Sequence, residues 1–173
     1  FRSETILRLP MSYLTFEVTH PAPPVGPPPC LRNRYLTFGS LVAQYKITPP
    51  VFAAWMRLLD AVPGSVLWLL EGNRLAPANL RHEAQARGIA PERLVFAPRR
   101  KLPEHLARHR LADLFLDTLP VNAHTTASDA LWAGCPVLTQ DGKKLTTTPS
   151  RSSRCRVHSR AINSVRLKVR LPK

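Results

Sequence analysis

Between residues 35 and 139 of this 173-residue chain, short apolar runs alternate with longer amphipathic stretches. The run SVLWLL, at residues 65–70, is apolar throughout, as expected for a strand buried on both faces of a sheet. Similar patterns predict strands at residues 35–40, 65–70, 93–96, 112–116 and 136–139, and helices at residues 49–62, 76–87, 103–109 and 125–133. Because strand and helix alternate along the chain, we predict an α/β fold with a parallel, doubly wound sheet.

Two flanking segments lack this alternation. Residues 1–34 contain six prolines between positions 21 and 29, which predicts a polyproline-like connector or, alternatively, a ligand for a proline-recognition domain. Residues 143–173 have neither strand nor helix periodicity, so we predict that they form a disordered basic tail. The chain is therefore expected to divide into a connector (1–34), an α/β domain (35–142) and a tail (143–173).

The positive charge is concentrated in that tail. Lys and Arg total 25 against 11 Asp and Glu, a net charge of +14, yet residues from 141 onward hold ten basic residues and one acid. A basic tail of this kind binds nucleic-acid phosphates or is simply a solvated chain end. The tail contains no aromatic residue on which a base would stack, which favours the solvated end.

Several protein classes lack support in the sequence. The three cysteines, Cys30, Cys135 and Cys155, are far apart, which excludes a disulfide framework and a Cys-x-x-Cys metal knuckle. No apolar run suggests a membrane span, and there are no motifs of dinucleotide-binding enzymes, P-loop ATPases, serine hydrolases or zinc proteases. The first residue is Phe1, from which we expect the chain to be a piece of a longer protein.

The candidate chemistry lies in the loops that follow the predicted strands, because ligands of parallel α/β sheets bind outside the carboxyl ends of the strands. Thr125 and Thr126 open a helix, where free N–H groups, hydroxyls and the positive end of the helix dipole suit a phosphate. Asp129 lies one turn further on, in a position to accept hydrogen bonds from ribose hydroxyls. Lys46 follows the first strand.

Each of these residues also has a plain structural interpretation. Thr125 or Thr126 would cap the helix, and Asp129 would complement its dipole. Lys46 would be a solvated surface lysine. His105 and His124 would make polar contacts at the surface. The sequence pattern alone leaves both interpretations open.

The segment DTLPVNAHTTASDALWAGCPVLT, residues 117–139, resembles the signature of the O-linked N-acetylglucosamine transferase family, which includes plant Spindly-type enzymes and bacterial proteins with TPR repeats. The resemblance covers residues 4–142. It implies a GT-B glycosyltransferase, of which this chain carries the Rossmann-like, nucleotide-sugar-binding C-terminal half. It further implies UDP-N-acetylglucosamine as donor, serine or threonine of an acceptor protein as acceptor, no metal or other cofactor, and a cytoplasmic location without membrane attachment. GDP-fucose, used by Spindly-type members, is the alternative donor.

The same resemblance assigns individual residues to the nucleotide sugar. Gln44 and Lys46, which are two positions apart here, are matched to the glutamine and lysine of a QxxK-type segment that contacts the nucleotide, with the lysine on the diphosphate. The remaining correspondences are His105 beside the nucleoside, His124, Thr125 and Thr126 at the diphosphate, and Asp129 at the ribose. Catalytic residues are expected in the N-terminal half of the family's fold, so we expect this chain alone to be inactive.

The chain also departs from the family pattern. Leu102 stands where relatives carry a lysine, which affects the nucleoside contact. The sequence after Gly142 does not continue the family pattern and resembles an out-of-frame translation. A basic nucleic-acid-binding module and a non-functional gene remnant therefore remain as alternatives.

Overall fold

The computed structural model describes residue 24, residues 26–140 and residues 155–158 of the chain. Its centre is a sheet with five parallel strands, which are β1 Thr37–Ser40, β2 Val66–Leu70, β3 Leu94–Ala97, β4 Leu114–Leu116 and β5 Val137–Gln140. The strand order is β3-β2-β1-β4-β5, and a sixth strand, β6 Cys155–His158, pairs antiparallel with β5. Because the order runs outward from β1 in both directions, the sheet is doubly wound, which confirms the predicted fold class.

Five α-helices accompany the sheet. They are α1 Pro29–Asn33, α2 Pro49–Ala61, α3 Ala76–Gln85, α4 Leu102–Arg108 and α5 Thr125–Trp132, with short 3-10 turns at Gln44–Lys46, Pro91–Arg93 and His109–Leu111. Every strand and helix predicted between residues 35 and 139 is present, with bounds that differ by one or two residues. No helix among the described residues is long and apolar enough to cross a membrane.

Two hydrophobic clusters cover the opposite faces of the sheet. Successive side chains of a strand point to opposite faces, and in β2 the buried Leu67 and Leu69 join the cluster formed with α2 and α3. Trp68, between them, packs against the second cluster, which includes Ala130 of α5. Burying one such leucine contributes about 1.5–3 kcal/mol. The continuous apolar run in β2 therefore reflects burial on both faces.

The structure differs from the sequence prediction at both flanks. Helix α1 lies inside the predicted connector, where the Asp113 carboxylate accepts hydrogen bonds from the backbone N–H groups of Cys30 (2.7 Å) and Thr37 (2.8 Å). The connector's residues 1–23 lie outside the described residues. Strand β6 lies inside the predicted disordered tail, because the open edge of β5 offers backbone partners that require no apolar periodicity. The rest of the predicted tail lies outside the described residues.

Candidate functional site

The predicted site residues lie where parallel strands end. The turn Gln44–Lys46 follows β1, helix α4 with His105 follows β3, and residues 117–124 connect β4 to α5. In a doubly wound sheet, the crevice between strands whose connections run in opposite directions is the usual ligand site. Here that crevice lies between the adjacent strands β1 and β4.

The loop between β4 and α5 is organised by Asp117. Its Oδ1 accepts hydrogen bonds from the backbone N–H groups of Thr118 (2.7 Å) and Ala123 (2.6 Å). Its Oδ2 accepts bonds of 2.6 Å from Asn122 Nδ2 and Thr139 Oγ1. One carboxylate thus fixes the path of the chain into α5. Asp117 was not among the site residues predicted from the sequence. Its position directly after a buried strand is the feature that could have indicated it.

Helix α5 begins without a side-chain cap. Its N-cap residue is His124, with φ of 50° and ψ of −113°, and no side chain of the described residues makes the capping hydrogen bond. The prediction that Thr125 or Thr126 caps the helix is therefore wrong. Thr125 is exposed and Thr126 is half-buried. The first turn of α5 keeps its positive dipole end and its hydroxyl donors available to a negatively charged group.

Lys46 faces this helix start. It is half-buried, and its Nζ donates a hydrogen bond of 2.8 Å to the backbone carbonyl of Asn122, two residues before His124. The interpretation of Lys46 as a solvated surface lysine is therefore wrong. The structure brings together a fixed positive charge and the open end of a helix dipole.

Gln44 turns away from Lys46. Its Nε2 donates to the carbonyl of Leu70 (3.2 Å), and its Oε1 accepts from the backbone N–H of Asn73 (3.0 Å). A Cβ atom at Gly72 would lie 2.6 Å from Gln44 Oε1, so only glycine leaves room for this contact. Gln44 thus holds the loop between β2 and α3, and its predicted contact with a nucleotide remains a prediction.

His105 and Asp129 lie together, although they belong to different helices. One ligand atom each from His105, His109 and Asp129 lies within 4.8 Å of the other two, and two histidines with one carboxylate are a ligand set that some metal ions use. The Arg108 guanidinium contacts His105 Nδ1. Because arginine only donates, Nδ1 is the acceptor, and the proton of neutral His105 lies on Nε2.

Burial controls protonation in this group. Desolvation, followed by the charge of Arg108, lowers the pKa of His105, and desolvation lowers the pKa of His109 to about 3. Desolvation raises the pKa of Asp129 to about 6. Both imidazoles are therefore neutral at pH 7, whereas Asp129 is ionised at a free-energy cost. A ligand that donates hydrogen bonds to Asp129 would reduce that cost.

A cleft of about 580 Å³ opens beside α4. Its walls include the aromatic side chains of Trp68 and Phe96 and the charged side chains of Arg100, Glu104 and Arg108. Ligand pockets are commonly of this size and combine aromatic surface with a few polar groups. Arg108 belongs both to this cleft and to the contact with His105.

A doubly wound parallel sheet with its polar side chains at the carboxyl edge is the architecture of Rossmann-like domains. The profile of Glycosyl transferase family 41 matches residues 30–164, so the chain belongs to that family. The match confirms the resemblance inferred from residues 117–139. It also extends beyond residue 142, into the segment predicted to be a tail.

Individual relatives agree with the family. The chain is 39% identical over 103 residues to "Probable UDP-N-acetylglucosamine--peptide N-acetylglucosaminyltransferase SEC" of Arabidopsis thaliana, covering 60% of this chain and 10% of the relative. It is 35% identical over 144 residues to the SPINDLY protein of Solanum lycopersicum, covering 80% of this chain and 15% of the relative. Its structure resembles a mutant of the Thermobaculum terrenum O-GlcNAc transferase with a TM-score of 0.58 and 33% identity, covering 60% of this chain and 21% of that one. The chain thus spans a small fraction of the length of these relatives.

Proposed function

We propose that this chain supplies the nucleotide-sugar-binding part of a protein O-glycosyltransferase, which transfers N-acetylglucosamine from UDP-N-acetylglucosamine to serine or threonine side chains. Membership of family 41 and the activities for which its relatives are named support this proposal. We further propose a cytoplasmic enzyme whose partners are the UDP-sugar and an acceptor protein.

The single observation that carries the proposal is the position of Lys46 beside the uncapped start of α5. A diphosphate at this helix start would meet the positive end of the helix dipole and the hydroxyls of Thr125 and Thr126. The N–H groups of Thr126 and Ala127 already donate to the backbone carbonyls of Ala123 and His124. Lys46 would supply the compensating positive charge from the opposite side, so that no metal ion is needed for that purpose. His124 would shape the turn through its left-handed backbone conformation.

The nucleoside would lie toward α4. In this arrangement Asp129 accepts hydrogen bonds from ribose hydroxyls, and His105 offers its Nε2 proton beside the nucleoside. The aromatic cleft next to Arg108 has room for the base. Leu102, which stands in place of the family's lysine, is exposed at the first turn of α4. Glu104 and Arg108 are the charged residues of α4 that line the cleft.

The chemistry of this part of the enzyme is stabilisation of the leaving group. When an acceptor hydroxyl oxygen attacks the anomeric carbon, the bond to the diphosphate breaks and negative charge develops on the departing UDP. Preorganised donors and a fixed cation stabilise such charge because they require no reorganisation during the reaction. The residues that orient and deprotonate the acceptor are expected outside this chain, and transfer requires both groups together.

Titration of the chain with UDP by calorimetry tests the proposal. We expect binding to UDP, weaker binding to GDP, and modest sensitivity to salt. A short DNA duplex is the comparison ligand, since binding through a basic tail weakens steeply between about 50 and 200 mM salt. Tight, salt-sensitive DNA binding without UDP binding would contradict the proposal and support the nucleic-acid alternative. Preference for GDP would indicate GDP-fucose as the donor.

A further inference from the structure

His109 is a buried histidine without an assigned role, and it was not among the site residues predicted from the sequence. It follows α4, is 1% exposed, and its buried Nε2 has no hydrogen-bond partner among the described residues. A buried polar atom that has no partner destabilises the folded state, so its presence calls for an explanation.

The surroundings of His109 provide an explanation for this buried nitrogen. Its ring meets the ring of His105 edge to face with centroids 5.0 Å apart, and it meets the ring of Phe115 at 5.9 Å. It also belongs, with His105 and Asp129, to the group whose ligand atoms lie within 4.8 Å of one another. His109 therefore lies next to both residues that are predicted to contact the nucleoside and its ribose.

The three polar atoms are close enough for one oxygen atom to reach all of them. Because they lie within 4.8 Å of one another, there is a central point no more than about 2.8 Å from each atom, which is within hydrogen-bond reach. An oxygen at that centre would have two imidazole nitrogens and one carboxylate within reach. A hydroxyl group both donates and accepts, so it matches a carboxylate acceptor and an N–H donor at once.

We propose that His109 is a positioning residue that orients the His105 ring and the Asp129 carboxylate towards one hydroxyl group of the bound ligand, a ribose hydroxyl. This inference rests on the proposed function, in which Asp129 binds the ribose. Because His109 is buried, its contact with the ligand is limited to that one hydroxyl group. It also limits the positions that the neighbouring side chains of His105 and Asp129 adopt.

A metal ion fits the same group less well. Arg108 contacts His105 Nδ1 and brings a positive charge next to the group, and Arg100 is a further cation near Arg108. Asp129 is the group's single carboxylate and would offset only part of the added charge.

The test combines substitutions at His109 with two measurements on the full chain. His109→Phe keeps an aromatic ring and removes both nitrogens, and His109→Asn keeps an N–H donor in a smaller side chain. Carbon-13 NMR titration of the Asp129 carboxyl group measures its pKa without a ligand, and calorimetry measures UDP affinity. If His109→Phe does not fold, His109→Ala supplies the nitrogen-free comparison.

We expect the pKa of Asp129 to rise above its wild-type value of about 6 in His109→Phe and to return towards that value in His109→Asn. UDP binding should weaken about three- to tenfold in His109→Phe, the loss expected for one hydrogen bond, and recover partly in His109→Asn. An unchanged Asp129 pKa in both variants, with lower melting temperatures only, would overturn the proposal.

Two further outcomes would separate a failure of this inference from a failure of the proposed function. Micromolar Zn²⁺ binding by the wild-type chain, lost in His109→Phe, would overturn the hydroxyl assignment in favour of a metal site. Absence of UDP binding by the wild-type chain would contradict the proposed function and the ribose assignment. The NMR titration would still decide whether His109 controls the Asp129 carboxylate.

Discussion

The ammonium group of Lys46 donates a hydrogen bond of 2.8 Å to the backbone carbonyl of Asn122, 76 residues later in the chain. This contact joins the turn after β1 to the loop that leads into α5. It crosses the crevice between β1 and β4, where a ligand of this fold is expected. Lys46 is therefore held in place before any ligand arrives, and less conformational entropy is lost on binding.

Lys46→Ala should weaken UDP binding about ten- to a hundredfold, because a charge-assisted contact is worth on the order of 1.5–3 kcal/mol. Arg57→Ala is the matched control, since Arg57 is an exposed basic residue on α2. Calorimetric titration measures both. Equal affinity of Lys46→Ala and Arg57→Ala for UDP would show that Lys46 contributes no specific contact.

Asp117→Ala should destabilise the domain by about 2–4 kcal/mol, because it leaves the N–H groups of Thr118 and Ala123 without their carboxylate partner. UDP binding should also weaken, since the loop that sets the start of α5 loses its anchor. Chemical denaturation followed by circular dichroism measures the first effect. Asp60→Ala, an exposed acid on α2, should leave stability nearly unchanged. A similar small effect for Asp117→Ala would contradict the assigned role.

Asp129→Asn should stabilise the ligand-free chain at pH 7 while weakening UDP binding. The folded-state pKa of Asp129 is raised from 3.8 to about 6 by burial, so the folded protein holds this proton more tightly than the unfolded chain. The contribution of Asp129 to stability therefore falls as pH rises from about 4 to about 6 and is constant above that. Allowing for partial exposure, we expect a gain on the order of 1 kcal/mol from the substitution at pH 7.

Thermal unfolding at several pH values measures this effect. The wild type should approach the stability of Asp129→Asn as pH falls below about 4. A constant difference in the free energy of unfolding between the two proteins from pH 4 to pH 8 would show that burial of the ionised carboxylate does not destabilise the folded state.

Removal of residues 145–173 should leave the melting temperature of the domain within a few degrees of the full chain. Both hydrophobic clusters consist of residues between 36 and 138 wherever the structure describes burial, so the truncation removes none of their side chains. It removes β6, whose antiparallel pairing with β5 involves four residues. A large fall in melting temperature by differential scanning calorimetry would show that β6 is an integral part of the sheet.

The chain alone should show no glycosyl transfer to a protein acceptor. Its described residues provide groups for the diphosphate and the ribose, but the acceptor must be held beside the donor for transfer to proceed. Incubation with radiolabelled UDP-N-acetylglucosamine and a serine-containing peptide tests this expectation. Incorporation of label above that of a Lys46→Ala control would contradict it.

Local patterns were sufficient for much of this protein. The apolar run of β2 and the helical spacing in α2 predicted their elements because side-chain periodicity follows directly from backbone geometry. The alternation of strands and helices predicted a parallel sheet, since short connections through helices permit few other topologies. The segment from Asp117 to Thr139 was distinctive enough to indicate the family, which the profile match then confirmed.

Only the tertiary structure decided which side chains meet. Lys46 reaches Asn122, Asp117 holds the loop before α5, and His105, His109 and Asp129 come together because the sheet brings β1, β3, β4 and their following segments to one edge. The directions of Gln44 and Lys46 differ although one residue separates them, because each bonds to a different neighbouring loop. The raised pKa of Asp129 likewise depends on burial by distant residues, a quantity that no local pattern contains.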